Sequence, residues 1–444
     1  MIPGVLRLTS RIKYGMTSRN VPLYLFEPFD RTLSPCIVGS SEKDVSSNAL
    51  ALITVEKWDP SNLTRGTLIR LLGKCGDLKA EEDAILYQYK AAGWKKNTPV
   101  QTPTFPDHIP ISGYTFNVDP EGCLDIDDTI TIGNDGYLYI TIADVATWMT
   151  VNPDIFQKAT TIGQTLYKNG QVVEPLLPIQ NQCSLRPKEK RYGVALKCKW
   201  DGTDLTDLSF QKVELTNTES FTYETIQYSK HAKLLRSLAS HLGKRDIIDP
   251  HEWIEELMLF YNSEVAKKLV TLQDGVLRCQ HPPDFEKYNS YYHLGADLEF
   301  LSNKSAFYTH ATTPVHHWGL SRAIYCHASS PIRRVSDIVN QMVLCGYSVP
   351  TYNIQTLNER STASKKYERD SFFLREVMKY PSRRIRGIAL TDHRVWVPLW
   401  KRIVTCNNTA IPGRLGLLYY SLDMDQPSWK KRMVFRFEGT DCQE

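Results

Sequence analysis

The chain has 444 residues, a formal net charge of +4 and 42% hydrophobic residues. That length predicts roughly two to four domains of ~150 residues each, and the ordinary hydrophobic share excludes a chain too polar to build cores. No segment reaches the ~20 apolar residues of a membrane-crossing helix, so no membrane partner is expected. The ten cysteines are scattered, with no Cys-x-x-Cys pair and no Cys/His ligand cluster. This argues against a zinc site or a disulfide framework and for a reducing, intracellular, cytoplasmic setting.

In chain order, the first 26 residues carry Arg7, Arg11, Lys13 and Arg19, several Ser and Thr, and no acid. This fits a mitochondrial transit segment. Val5 to Leu8 and Val21 to Phe26 fit strands of a folded domain equally well, and both readings stay open here. Leu50 to Trp58 and Gly66 to Leu72 predict a mostly β region up to about residue 105. A short helix is expected from Lys79 to about Ala92. Pro99, Pro103, Pro106 and Pro110 then mark a linker.

The stretch FNVDPEGCLDIDDTI brings Asp119, Asp125, Asp127 and Asp128 close together. Like charges packed this closely push carboxylate pKa values up unless something cancels them. A hard divalent cation does so, because Mg²⁺ accepts one or two protein carboxylates plus water and phosphate oxygens. Two such ions ~4 Å apart can hold both the attacking and the leaving oxygen of a phosphodiester cleavage. An acidic surface loop is the bland alternative, and the local order opposes it. Tyr114, Phe116 and Val118 lead into Asp119, and Pro120-Glu121-Gly122 reads as a turn. The alternation Asp125-Ile126-Asp127 predicts a strand with both carboxylates on one face. The glycine that a calcium-hand loop needs is missing.

Thr222 to Leu242, His251 to Leu272 and Gln355 to Lys379 have the length and period of helices. SSPIRRVSD, from Ser329 to Asp337, predicts a helix start with Pro331 in the first turn and Ser329 or Ser330 as cap. Free amides there favour a phosphate, and Arg333 can hold one bidentately. Asp337, four residues on, is expected to face Arg333 and fix its rotamer; an Arg–Asp pair with no ligand is the alternative. From Lys365 to Arg402 the chain carries eleven Lys and Arg, which reads as a phosphate-tracking surface or as a solvated helix face. GIAL and VWVPLW after Arg384 turn β-like again.

The spacing Asp-x5-Asp-x-Asp-Asp, with Pro120 and Ile126 in place, resembles the signature of the ribonuclease II / ribonuclease R exoribonucleases, the family of the catalytic subunit of the eukaryotic exosome. Further blocks follow in that family's order: YITIADV (Tyr139 to Val145), CSLRP (Cys183 to Pro187), EELMLFYNSEVA (Glu255 to Ala266), HWGL (His317 to Leu320), YCHASSPIRRVSD (Tyr325 to Asp337) and YERD (Tyr367 to Asp370). The resemblance covers roughly residues 110 to 380. It implies an α+β chain with a central mixed α/β ribonuclease II-type catalytic domain at 106–382. Small OB-type β-barrels would flank it, cold-shock-like at 1–105 and short at 383–444.

By the same resemblance the chain would be a monomeric Mg²⁺-dependent 3′→5′ exoribonuclease, with Mn²⁺ as substitute. It would hydrolyse single-stranded RNA to nucleoside 5′-monophosphates by a two-metal-type in-line mechanism. Asp119, Asp125, Asp127 and Asp128 would hold the metal directly or through water, and Arg333 would be the catalytic arginine. Glu368 would contact the terminal ribose and Tyr167 would stack on the last base. Arg278, His281 and Ser329 would lie along the RNA. The family pattern is departed from at Val335, at Gln341-Met342 and at Thr141, which bears on RNA affinity and product length. An idle RNA-binding scaffold of the same fold and a DNA-directed nuclease are the rival readings.

Overall fold

The first apolar runs close into a barrel. In this computed structural model, which describes residues 1–58, 63–292, 294, 303–380, 383–423, 426 and 429–439, the barrel comprises β1 (Ile2–Leu6), β2 (Leu23–Pro28), β3 (Cys36–Gly39), β4 (Ala49–Thr54) and β5 (Arg65–Lys74), in the order β1-β2-β3-β5-β4. Leu6, Phe26, Val38, Ala51 and Ile53 point inward and fill it. Asp77 accepts the Ala80 amide at 2.9 Å and starts helix α1 (Leu78–Tyr89). Ala80 and Ala84 of α1 pack on Val5 and Leu50.

By compactness the chain forms two units. One comprises Met1–Ala91, Pro283–Asn303 and Ala363–Glu444; the other comprises Ala92–Pro282 and Lys304–Thr362. The second is built on a seven-stranded sheet that uses β6 (Ile109–Pro110), β7 (Gly113–Val118), β8 (Asp128–Gly133) and β9 (Leu138–Ala143). After α2 (Ala146–Val151) and α3 (Pro153–Ile162) comes a hairpin of β10 (Leu166–Lys168) and β11 (Gln171–Glu174). Helix α4 (Gln180–Cys183) leads to the remaining sheet strands, β12 (Lys190–Trp200), β13 (Leu205–Thr216) and β14 (Glu219–Phe221). The sheet order is β14-β7-β8-β9-β12-β13-β6.

One face of this sheet is covered by helices. Ile130, Ile140 and Leu196 pack against Leu235, Leu257 and Tyr261, which lie on α6 (Ala232–Gly243) and α7 (Pro250–Leu272). The helix expected from Thr222 to Leu242 is interrupted. A single turn, α5 (Tyr223–Ile226), is followed by turns before α6 begins. The Ser229 hydroxyl accepts the His231 amide at 3.2 Å. The His231 ring stacks on Tyr114 and Phe116 at 4.6 and 5.2 Å. Burying that ring on the sheet takes precedence over the local helical pattern.

Strands β15 (Val276–Cys279) and β16 (Phe307–His310), separated by helix α8 (Phe285–Tyr292), pair antiparallel. Helix α9 (Val335–Leu344) follows, and helix α10 (Ile354–Lys379) runs on into the first unit. That unit ends in a sheet of β17 (Ile385–Ala389), β18 (Arg394–Val397), β19 (Arg402–Thr405), β20 (Leu415–Leu422) and β21 (Met433–Gly439), with helix α11 (Trp429–Arg432) before its last strand. Its order is β19-β18-β17-β20-β21.

Buried charges tie the first unit together. Arg432 of α11 bonds Glu81 of α1, both nearly inaccessible. Asp370 on α10 accepts the Tyr89 hydroxyl and the Lys430 ammonium, each at 2.7 Å, and pairs with Arg402 at 3.3 Å. Arg375 pairs with Glu82 at 3.4 Å. Arg375 and Arg402 are therefore half-buried structural cations. Lys365, Lys366 and Arg369 remain exposed.

Candidate active site

β7 delivers Asp119 and β8 begins at Asp128; residues 119 to 127 form the loop between them. Asp125, Ile126 and Asp127 are not a strand, contrary to the alternation. Their backbone partners come from elsewhere: the Ile126 amide donates to the Ser184 hydroxyl at 3.0 Å and its carbonyl accepts the Leu185 amide at 2.9 Å. The CSLRP block thus holds the loop from below. Asp127 turns inward and is 4% exposed, while Asp125 is only half-buried.

All four aspartates line one cavity of about 800 Å³, together with Tyr167, Ser329 and Arg333. Burial, then the charges of Asp119 and Asp127, push the Asp128 carboxyl well above its ordinary pKa. Burial also raises Asp119. Asp127 is pushed up to about 7, chiefly by burial, even though Arg333 acts in the other direction. Burial thus disfavours the charged form of these carboxyls unless a cation compensates.

The carboxylates are held differently. Asp127 accepts the Ile332 amide at 3.0 Å on one oxygen and Arg333 Nε at 3.2 Å on the other. Asp125 accepts the Tyr167 hydroxyl. Asp119 accepts the Asn117 side-chain amide at 2.8 Å. Among the described residues no three His, Cys, Asp or Glu side chains converge as a ready-made metal cage. The donor set does fit a hard cation that takes one or two carboxylates and fills its shell with water and phosphate oxygens.

SSPIRRVSD is not a helix start of the expected kind. Residues 331 to 333 form a turn, Arg334 bridges to Gln164, and α9 begins at Val335. Asp337 organises that turn. It receives Arg334 Nε and Nη2 at 3.0 and 2.7 Å and the Ser330 amide at 2.8 Å. The expected Arg333–Asp337 pair is replaced by Arg334–Asp337. With Arg334 taking the inward position, Arg333 turns to the cavity, where Nη2 also donates to the Ser330 hydroxyl at 2.9 Å. Ser329 caps no helix; its hydroxyl accepts from Asn262 at 3.2 Å.

Tyr167 stands on the β10–β11 hairpin, whose tip Asn169-Gly170 also lines the cavity. Both tip residues have positive φ, +51° and +74°. An Asn-Gly pair adopts this tight hairpin turn with little strain. Arg278 and His281 lie outside the residues that line the cavity. Arg278 is 3% exposed, with its guanidinium 4.5 Å over the Tyr308 ring; His281 is exposed and leans on Phe307 at 4.8 Å. Glu368 is on an exposed face of α10 within the first unit, so the described cavity is built without it.

Two residues that carry the site escape sequence reading. Asn262 of α7 donates to the Tyr325 hydroxyl at 3.0 Å and accepts the Ala328 amide at 2.9 Å, setting the segment before Ser329. A polar side chain on the buried face of an apolar helix was the available signal. Gln341 accepts the Val145 and Ala146 amides and donates to the Ala143 carbonyl, all at 2.9 Å. The Ala143 amide in turn donates to the Asp127 carbonyl at 2.8 Å. The departure from the family pattern at Gln341 is filled by a residue that satisfies buried backbone.

The chain matches the RNB domain family over residues 112–238 and 236–347, and the Dis3-like cold-shock domain 2 over residues 23–90. It is similar to the probable exosome complex exonuclease RRP44 of Caenorhabditis elegans, 24% identical over 455 residues, covering 77% of this chain and 47% of that protein. It thus spans about half the length of the curated relatives it matches most fully. Mycoplasma genitalium RNase R, solved with ribose-methylated single-stranded RNA, aligns at a TM-score of 0.78 and 17% identity over 98% of this chain and 90% of that one. The pseudonuclease Ssd1 of yeast aligns at 0.66 and 15% identity over 94% of this chain and 67% of that one. These likenesses establish a shared fold. With the RNB match extending over more than half of its residues, the chain belongs to the RNB family and is homologous to RRP44/Dis3 and RNase R.

Proposed function

We propose that the chain is a divalent-metal-dependent exoribonuclease that degrades single-stranded RNA from its 3′ end to nucleoside 5′-monophosphates. The observation that carries this reading is the joint placement of four aspartates and the Arg333 guanidinium on one cavity. Nucleases of the family are generally divalent-metal dependent. Asp119 and Asp128, which face the cavity with no cationic partner among the described hydrogen bonds and ion pairs, would hold the cation, with Asp125 reached through water. When bound, the cation would activate a water and polarise the phosphate.

The chain's own groups would do the rest. Arg333 is anchored by Asp127 while its side chain stays 43% exposed, so its remaining N–H groups can meet charge that develops on the phosphate. Asp127, with both oxygens occupied, would act as the orienter of that arginine and of the Ile332 amide. Tyr167 would face the terminal base. The same fold in a protein described as a pseudonuclease favours a second reading, an RNA-binding scaffold without turnover.

End-labelled single-stranded RNA separates the two. Shortening from the 3′ end in Mg²⁺ or Mn²⁺, abolished by excess chelator, is the expected result. Binding without shortening in any divalent cation would leave the scaffold. Cleavage that survives chelation, or that starts at the 5′ end, would rule out the proposed chemistry.

Tyr167→Ala gives a finer result. Stacking on an aromatic ring is worth ~1–3 kcal/mol per base, which matters little for a long RNA and much for the last few nucleotides. The variant should still degrade long RNA but leave a final product longer by one or more nucleotides on a sequencing gel. An unchanged ladder would assign Tyr167 to packing.

A further inference from the structure

Asp119 and Asp127 are both fixed, but by groups of different charge. Asp127 is held by a guanidinium. Asp119 is held by a neutral amide, and that amide is itself held. Asn117 on β7 is 1% exposed and donates Nδ2 to Asp119 at 2.8 Å. Its Oδ1 accepts Nδ2 of Asn217 at 2.8 Å. The same Nδ2 of Asn217 donates to the Leu185 carbonyl at 2.8 Å. Asn217 is fully buried in the two-residue link between β13 and β14.

Chemistry sets the direction of this chain of bonds. The Leu185 carbonyl can only accept, so Asn217 must turn its NH₂ towards it. That NH₂ also meets Asn117, which must therefore present its oxygen. The Asn117 NH₂ is left facing Asp119, where an ionised carboxylate needs a donor. Flipping Asn117 would set oxygen against carboxylate and NH₂ against NH₂. The arrangement persists although it leaves Asn217 Oδ1 buried without a hydrogen bond among the described residues, a cost that a fold keeps only when other contacts require it.

We infer that Asn117 and Asn217 are positioning residues for Asp119, a relay of two amides that fixes its carboxylate without neutralising it. An arginine in the same place would orient the carboxylate and cancel its charge. A carboxamide orients it and places no competing positive charge beside the site of a divalent cation. The inference rests on the reading of Asp119 as a cation ligand. It separates two duties within one cluster: Asp127 anchors a cationic side chain, and Asp119 is oriented for a metal by a group that brings no charge of its own.

Mn²⁺ binding to the full chain, without RNA, followed by the paramagnetic signal of free Mn²⁺, tests this. Asn117→Leu should weaken Mn²⁺ binding about tenfold, the low end of what loss of a partner behind a metal ligand causes. Asn217→Leu should do nearly the same. The double variant should be no weaker than either, because both belong to one chain of bonds. RNA affinity in chelator should stay at the value of the unsubstituted chain, which a general loosening of the fold would not allow. If Asn117→Leu does not fold, Asn117→Ser, whose shorter side chain loses the Asp119 contact, replaces it. Unchanged Mn²⁺ affinity in folded variants, or additive losses in the double variant, would overturn the relay while the metal reading stands. Absence of Mn²⁺ binding in the unsubstituted chain would overturn both.

Discussion

Asp127→Asn should stop RNA cleavage, with turnover down by about three orders of magnitude, while RNA affinity stays nearly unchanged. Affinity for RNA comes mainly from backbone phosphates and stacked bases, neither of which a carboxylate attracts. Both of its oxygens accept N–H donors, from Ile332 at 3.0 Å and Arg333 at 3.2 Å. A carboxamide offers one acceptor and one donor, so one of those N–H groups would face another donor. Either the backbone turn or the arginine then leaves its place. Arg333→Ala alone should cost about 10²–10³ in turnover, the effect of removing one transition-state donor. The two changes should not add: Asp127→Asn with Arg333→Ala should be no slower than Asp127→Asn alone, as for residues that act as a unit. Single-turnover cleavage of end-labelled RNA measures all three. Turnover like that of the unsubstituted chain in a folded Asp127→Asn protein would show that the cluster is not the active site.

The largest effect on stability is expected one turn further on. Asp337 is fully buried and the Arg334 side chain is 18% exposed. Burial works to lower the Arg334 pKa, and the Asp337 carboxylate more than offsets it. Asp337→Ala leaves a buried guanidinium without its partner, and breaking such a pair costs about 3–5 kcal/mol. The Ser330 amide loses its acceptor in the same step. Thermal melting should fall by ~10 °C for a unit of this size. Arg333→Ala, at an exposed side chain, should melt within a degree or two of the unsubstituted chain, about the shift that ~0.5 kcal/mol produces. A melt unaffected by Asp337→Ala would mean that the turn from Ser330 to Arg334 is held by packing alone.

These two results separate adjacent arginines that look alike as sequence. At Arg333-Arg334 the i, i+4 rule pairs Arg333 with Asp337, and that rule applies only if Arg333 is already in the helix. The helix starts two residues later, so the pairing moves to Arg334 at i, i+3. Arg333 turns the other way, to an aspartate more than two hundred residues earlier. The same long-range competition turned Asp125-Ile126-Asp127 from a strand into a loop, because the Ser184 hydroxyl and the Leu185 amide supply the backbone hydrogen bonds of Ile126 that a neighbouring strand would have supplied.

Local pattern by itself determined much of this protein. The apolar and alternating runs of the first residues predict β-strands, and the family resemblance implies the barrel they form. The long helices at Pro250–Leu272 and Ile354–Lys379 follow from length and period, and the ordered motifs identify the family and the four aspartates. What only the tertiary structure decided is which oxygen of which aspartate is occupied, and by what. Asn117 and Asn217 are unremarkable in sequence, and the roles of Asn262 and Gln341 are not legible there, because a carboxamide has no periodicity and no charge to announce its partner. Their roles come from being buried beside groups that can only accept or only donate. That circumstance exists once distant segments have packed and left each polar atom a single available partner.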